Sequence, residues 1–306
     1  MNNKYLPYIS IVIPTYNHAK FIFKALQSVL HQTYENWEAI VIDNHSTDDT
    51  SKIIKKFNDP RIKFLKIVNN GVIAKSRNLG INNAKGEWIA FLDSDDWWTN
   101  DKLETCLNNI DDKVDLIYHD LQVVHDKYKF YFKKEKYRGR ELSKPVLIDL
   151  LKGGIIHGNA IGNSSVIVRK NKLDEIGGIS ENKKLVGSED YNTWLRIAQI
   201  TDEFKYLKKK LGYNLIHDRG VSRKDMSIPQ RQAIKDFMKY YNHHDKINLE
   251  VKMSFIAGSY NYSINNFKEA KQNFMYVLGN GFIHLKLRAF LNIIKIIFKS
   301  FGFKKI

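Results

Sequence analysis

The stretch WEAIVIDNHSTDDTSKIIKKF, residues 37–57, changes periodicity halfway along, and that change decides the fold. WEAIVID (37–43) is a short run rich in apolar and β-branched residues, the composition of a buried strand. STDDTSKIIKKF (46–57) opens with Ser, Thr and Asp, side chains that satisfy free amides at a helix start. It then sets Ile53, Ile54 and Phe57 at helical spacing. Outward from here the alternation repeats. ISIVI (9–13), RIKFLKIV (61–68), EWIAFLD (87–93) and DLIYHDLQVV (115–124) read as strands. In KFIFKALQSVL (20–30), Ile22, Ala25, Leu26, Val29 and Leu30 share one helical face. Strand alternating with helix predicts an α/β fold, a doubly wound and mainly parallel sheet flanked by helices on both sides.

With 306 residues, one large domain and a smaller appendage is the natural division. Hydrophobic residues at 43% and charged residues at 27% exclude wholesale disorder. The single cysteine, Cys106, leaves no internal disulfide, and no Cys/His cluster suggests zinc, so a reducing, cytoplasmic setting is expected. The apolar run in MNNKYLPYISIVIP is too short for a signal peptide, and no apolar stretch is long enough to cross a bilayer. The expectation is a protein in solution or attached to a surface. Of the net charge of +16, residues 228–306 carry +9, from 13 Lys and Arg against 4 Asp and Glu.

The middle of the chain is less regular. KYKFYFKK (127–134) suggests an edge strand or hairpin, SSVIVRK (164–170) a strand, and EDYNTWLRIAQI (189–200) an amphipathic helix. Beyond about residue 226 the pattern is helical. AGSYNYSINNFKEAKQNFMYVL (257–278) looks like a helix pair of the tetratricopeptide kind, and one pair does not make a repeat array.

In open α/β sheets, ligands bind outside the carboxyl ends of the strands. PTYN (14–17), DNHS (43–46) and DSDD (93–96) each follow a strand directly, so the three converge on one rim. Crowded carboxylates repel one another and are costly to bury, and a divalent cation with phosphate oxygens is the simplest partner for Asp93 and Asp95. Two plainer readings stand beside it: a cap for the next helix, or a solvated turn. Glu189 and Asp190, in GSEDYNTWLRI (187–197), read first as favourable charge at a helix N-terminus.

Together, in order and at this spacing, residues 9–50, GVIAKSRNLGINNAKGEWIAFLDSDD (71–96) and GSEDYNTWLRI resemble the family-2 inverting glycosyltransferases of the GT-A fold, over roughly residues 8–220. The resemblance implies a GT-A domain over 1–225, with a nucleotide-binding half (1–125) and an acceptor half (126–225); the helical, basic region over 226–306 lies outside it and rests on the helical pattern alone. It implies that Pro14, Thr15, Tyr16 and Asp43 hold the base and ribose of a nucleotide-sugar donor, with Asn44 beside them. Arg77 would line the diphosphate side, Asp93 would contact donor ribose or sugar with Ser94 adjacent, and Asp95 would ligate Mg²⁺ or Mn²⁺. Asp190 matches the catalytic base, with Glu189 next to it. The activity implied is transfer of one sugar, UDP-linked by expectation, to a hydroxyl of a saccharide or lipid-linked saccharide, with inversion.

The chain departs from that pattern in two places. DNHS stands where members commonly read DDGS, so Asn44 brings no charge. HDRGVSR (217–223) replaces the processive Gln/Arg-x-x-Arg-Trp run, which points to one sugar per encounter. His217 reads either as a group near the metal or diphosphate, or as a loop histidine. Gly158, Asn159, Asn163 and Ser164 are either acceptor-cleft residues or ordinary turn residues, and Trp97 and Trp98 either stack on a ligand or belong to the core.

FIHLKLRAFLNIIKIIFKSFGFKKI (282–306) holds six Lys and Arg and no acid. It fits an interfacial helix on an anionic membrane and, equally, a terminal helix docked on its neighbours. Other functions fit less well. A nucleotidyltransferase needs a glycine-rich basic loop that IPTYNHAK lacks, and no nucleic-acid recognition motif accompanies the basic charge. A donor-binding protein without catalysis shares the same motifs.

Overall fold

The computed structural model describes residues 8–126, 137–218 and 220–300. The expected edge strand or hairpin at 127–134 lies outside the described residues. In chain order the elements of the first half are β1 (Ile9–Thr15), α1 (Ile22–Leu30), β2 (Trp37–Asp43), α2 (Thr50–Ile54), β3 (Ile62–Lys66), α3 (Ile73–Asn82), β4 (Trp88–Phe91), β5 (Trp97–Trp98), α4 (Lys102–Leu107) and β6 (Leu116–His125). Then come β7 (Tyr137–Arg138), α5 (Val146–His157), β8 (Ile167–Arg169), α6 (Lys170–Glu175), α7 (Glu189–Ala198), β9 (Phe204–Ile216), α8 (Ser227–Ile234), α9 (His243–Ser263), α10 (Phe267–Asn280) and α11 (Ile283–Ser300).

The strands form one mixed sheet in the order β3-β2-β1-β4-β8-β6-β9-β5, with β7 beside β6. The nucleotide half is the parallel α/β arrangement its alternating sequence predicts: β1 pairs in parallel with β2 and β4, and β2 with β3. Beyond β4 the directions mix. β8 runs antiparallel to both β4 and β6, while β6 and β9 are parallel. β1 and β2 are buried at every position, which explains why their sequences are nearly continuous apolar runs. Ile22, Ala25, Leu26 and Val29 of α1 pack into the same core as Ile9, Ile11, Ile13 and Trp37.

Register places the rim. Thr15 is paired with Asp43, and Val12 with Phe91, so the three strands release their loops side by side. Gly80 allows α3 to lie directly on the sheet, because a Cβ there would stand 2.6 Å from Val12 Cγ1 and 2.9 Å from Ile42 Cδ1.

β9 carries no clear strand signal. Its alternation breaks at Lys208–Lys209–Lys210, where the pairing jumps from His119↔Leu207 to Asp120↔Lys210. A bulge there absorbs the extra residues and leaves the lysines exposed.

The chain divides into two compact units, Met1–Leu150 with Asn159–His217, and Leu151–Gly158 with Asp218–Ile306. The second is helical. Asn242 and Asp245 form a reciprocal capping box at the start of α9. Its core is Val251, Ala270, Phe274, Val277, Ala289, Ile293 and Ile296. Gly258 sits where a Cβ would meet Phe274 at 2.9 Å, which lets α9 and α10 approach closely. The helix pair expected over 257–278 is α9 and α10, joined through Asn265 at φ 61°.

Candidate active site

At the first two strand ends the loops are stitched to each other. Asn44 N–H donates to Thr15 O (3.0 Å), Asn17 N–H to Ser46 Oγ (2.8 Å), and Thr47 N–H to Asn17 Oδ1 (2.8 Å). Asp43 is fully buried and accepts from Ser46 N–H (3.1 Å), from the Ser46 hydroxyl and from Ser51 Oγ (2.7 Å). His45 has a left-handed backbone at φ 52°. Asn44 Oδ1 accepts from Asn69 N–H at 2.8 Å, so the neutral amide serves as a loop fastener. Pro14 is buried and Tyr16 is 51% exposed. Thr15 Oγ1 is buried with no hydrogen-bond partner, an uncommon state for a hydroxyl at a strand end.

The acids after β4 part company. Asp93 Oδ1 accepts from Arg77 Nη2 (2.8 Å) and Asn163 Nδ2 (2.9 Å). The other arm of the same guanidinium, Nη1, donates to Glu189 Oε1 at 2.6 Å. Arg77 is therefore a buried link from α3 to the loop after β4 and to α7, and the two carboxylates raise its already high pKa despite burial. Asp96 is buried and accepts from Ser164 Oγ (2.6 Å), Leu215 N–H (2.9 Å) and Asn214 Nδ2 (3.1 Å). Burial, then the charges of Asp95 and Asp93, raise its pKa well above the ordinary carboxylate value.

Asp95 has a different setting. Its Oδ2 lies 2.9 Å from His217 Nε2, and His217 is 6% exposed. His18 Nδ1 lies 2.8 Å from Ser94 Oγ, and the His18 and His217 rings meet edge to face at 5.9 Å. One ligand atom from each of His18, Asp95 and His217 falls within 4.8 Å of the others. One carboxylate oxygen and two imidazoles at that separation suit a divalent first-row cation, with open positions left over.

Asp190, in the first turn of α7, forms the third group. It accepts from Tyr191 N–H (2.7 Å) and Asn159 Nδ2 (3.1 Å). Burial and the adjacent Glu189 charge push its pKa up to about 7, against the lowering effect of Arg77. A carboxyl poised near neutrality suits proton transfer.

Three contributors carry little signal in sequence. Asn163 and Ser164 read equally as acceptor-cleft or turn residues, and the β4–β8 pairing brings them to Asp93 and Asp96. Asn214 belongs to the irregular β9. His18 had a visible cue, since it follows PTYN directly on the same rim. Trp98 is core: its Nε1 donates to Ser164 O at 2.7 Å and its backbone N–H to Ser28 Oγ at 3.2 Å. Trp97 stacks on Tyr213 at 5.0 Å with Lys24 over its ring.

Residues 10–170 match the profile of Glycosyl transferase family 2, more than half of the chain. The chain belongs to that family. It is 34% identical over 226 residues to the Escherichia coli UDP-Glc:alpha-D-GlcNAc-diphosphoundecaprenol beta-1,3-glucosyltransferase WfaP, covering 74% of this chain and 84% of that one. It also matches Rickettsia glycosyltransferases described as uncharacterised, spanning 62% of the length of the one from Rickettsia typhi and 32% of the one from Rickettsia felis. Staphylococcus aureus TarS 1-349 in complex with UDP-GlcNAc shares the fold, with TM-score 0.60 and 18% identity over 96% of this chain and 92% of that one. The mannosyltransferase PcManGT from Pyrobaculum calidifontis, in complex with GDP-Man and Mn²⁺, superposes with TM-score 0.62 and 16% identity over 98% and 83%. This family-2 glycosyl transferase thus has a GT-A fold with a helical C-terminal region.

Proposed function

We propose that this family-2 glycosyl transferase transfers one sugar from a UDP-linked donor, with inversion, to a hydroxyl of a saccharide or lipid-linked saccharide. The observation that carries the reading is Asp190, a carboxyl near neutral pKa beside a buried Arg77 that ties Asp93 to its own helix. The acceptor hydroxyl gives its proton to Asp190 as its oxygen attacks the anomeric carbon. The bond from that carbon to the diphosphate breaks, and no glycosyl–enzyme bond is needed. Asn159 Nδ2, bonded to one carboxylate oxygen, holds the base in orientation. Pro14, Thr15, Tyr16, Asp43 and Asn44 would hold the nucleoside, and the partnerless Thr15 hydroxyl supports a ligand there. Arg77, Asp93 and Ser94 would fix the donor's sugar and diphosphate side. Arg77 would act through Asp93, to which its Nη2 donates.

Asp95, with His217 and His18, would hold the expected Mg²⁺ or Mn²⁺, and two imidazoles beside one carboxylate suit Mn²⁺ better than Mg²⁺. When bound, the ion would neutralise charge on the departing diphosphate. The names of relatives support the donor and acceptor classes: WfaP uses UDP-Glc and a diphosphoundecaprenol-linked acceptor by its name, and TarS was solved with UDP-GlcNAc.

The test is a thermal-shift panel of nucleotide sugars, with and without Mn²⁺, on the wild type and Asp190→Asn, alongside a transfer assay. One donor should stabilise both proteins in the presence of Mn²⁺, with transfer by the wild type alone. A folded Asp190→Asn protein that no longer binds that donor, or still transfers, overturns the assignment of the base.

A further inference from the structure

Helix α11 has three faces. At about 100° per residue, Ala289, Ile293 and Ile296 cluster on one side, buried at 0%, 8% and 4% exposure in the core of the helical unit. Ile283, Leu287, Phe290 and Leu291 form a second stripe pointing elsewhere, at 79%, 60%, 52% and 55% exposure. Between the two run the cations. Arg288, Lys295 and Lys299 lie along one flank and Lys286 along the other, and α11 contains no acid.

Docking and exposure are thus both true of this helix, on different faces. A helix that only completes a bundle needs a single apolar stripe. Here the second stripe stays in water, a large apolar patch with basic margins. No helix among the described residues is long and apolar enough to cross a membrane, so the stripe does not mark a span. Arg288 and Lys299 lie over the rings of Phe255 (4.7 Å) and Tyr262 (4.5 Å), which holds their aliphatic stems against the unit.

We propose that the Ile283–Leu287–Phe290–Leu291 face of α11 is a docking surface for an anionic lipid bilayer. Its apolar side chains enter the boundary between headgroups and acyl chains, and Lys286, Lys295 and their neighbours face the lipid phosphates. The charge decides for lipid over a second copy of this chain. Two copies brought together through this face would align cation against cation, with no acid on the helix to offset them, whereas an acidic leaflet complements it. Residues 228–306 hold +9 of the chain's +16, so the field around the helix draws it toward such a surface. This goes beyond glycosyl transfer and does not depend on which donor or acceptor is used.

Vesicle sedimentation of the full chain tests it, using phosphatidylcholine alone and phosphatidylcholine mixed with phosphatidylglycerol. Binding is expected only to the anionic vesicles, weakened by added salt. The double variant Leu287→Glu/Leu291→Glu should bind at least about tenfold more weakly while keeping the wild-type melting temperature and its thermal shift with donor. If the double variant does not fold, Lys295→Glu, at an exposed position, is read in its place with the same expected direction. Equal binding to neutral vesicles, no binding to either, or undiminished binding by the folded variant overturns the proposal. So does a wild-type dimer in analytical ultracentrifugation that the variant dissolves, because a second copy would then cover the face. Loss of donor binding in the wild type would instead count against the enzymatic reading and leave vesicle binding to be judged separately.

Discussion

Asp190 and Glu189 are adjacent carboxylates with different surroundings. Glu189 is held by Arg77 and by the Gly187 N–H at 2.6 Å. Asp190 has an amide and one backbone N–H, and its pKa rises to about 7. A base must be ionised to accept a proton, so kcat/KM should climb with pH and level off above about 7. Stability should respond in the opposite sense. The folded pKa lies above the ordinary value, so the folded chain binds a proton that the unfolded chain releases. That contribution is complete below about pH 4 and is lost by about pH 7. Asp190→Asn removes the loss. The variant's advantage over the wild type should therefore grow between those pH values, to on the order of 2 kcal/mol after allowance for partial exposure. Denaturant unfolding at several pH values measures it. A sequence displays two neighbouring acids but not which of them gains a buried cationic partner, and that distinction exists only after α7 has packed.

Among the elements, α3 matters most to the site because Arg77 joins it to both the loop after β4 and α7. Arg77→Met should lower the unfolding free energy by about 3 kcal/mol, since it strands Glu189 in a buried position and frees Asp93. It should also move the acid limb of the pH profile upward, because Arg77 is the charge that lowers the pKa of Asp190. Gly80→Ala, on the face of α3 against the sheet, should cost about 1–3 kcal/mol by driving a methyl into Val12 and Ile42. Legibility followed the same divide between local and distant causes. β1, β2, β4 and α1 were readable because each shows its own period within a few residues. β9 was not, since three lysines and a bulge erase its alternation, and its strand character depends on β6 beside it. His217 is carried to Asp95 by that strand, which is why sequence left it suspended between a loop residue and a ligand. Arg77 shows a related gap. Its segment signalled the donor side, but the bridge to Glu189 spans 112 residues of sequence and leaves no local trace.

Over the whole molecule, acidic chemistry and basic charge belong to different compact units. The acids lie in Met1–Leu150 with Asn159–His217, whereas most of the net charge lies beyond residue 228. On the proposed reading the donor's diphosphate would lie beside Asp95, and a divalent cation between them would offset their repulsion. The most direct test is a crystal of this chain grown with UDP and Mn²⁺, measured at the manganese absorption edge. Expected is an anomalous peak within about 2.0–2.6 Å of an Asp95 carboxylate oxygen, with an imidazole nitrogen of His217 and the UDP diphosphate as further ligands. UDP bound with no peak at Asp95, or with that carboxylate still bonded only to His217, would contradict it.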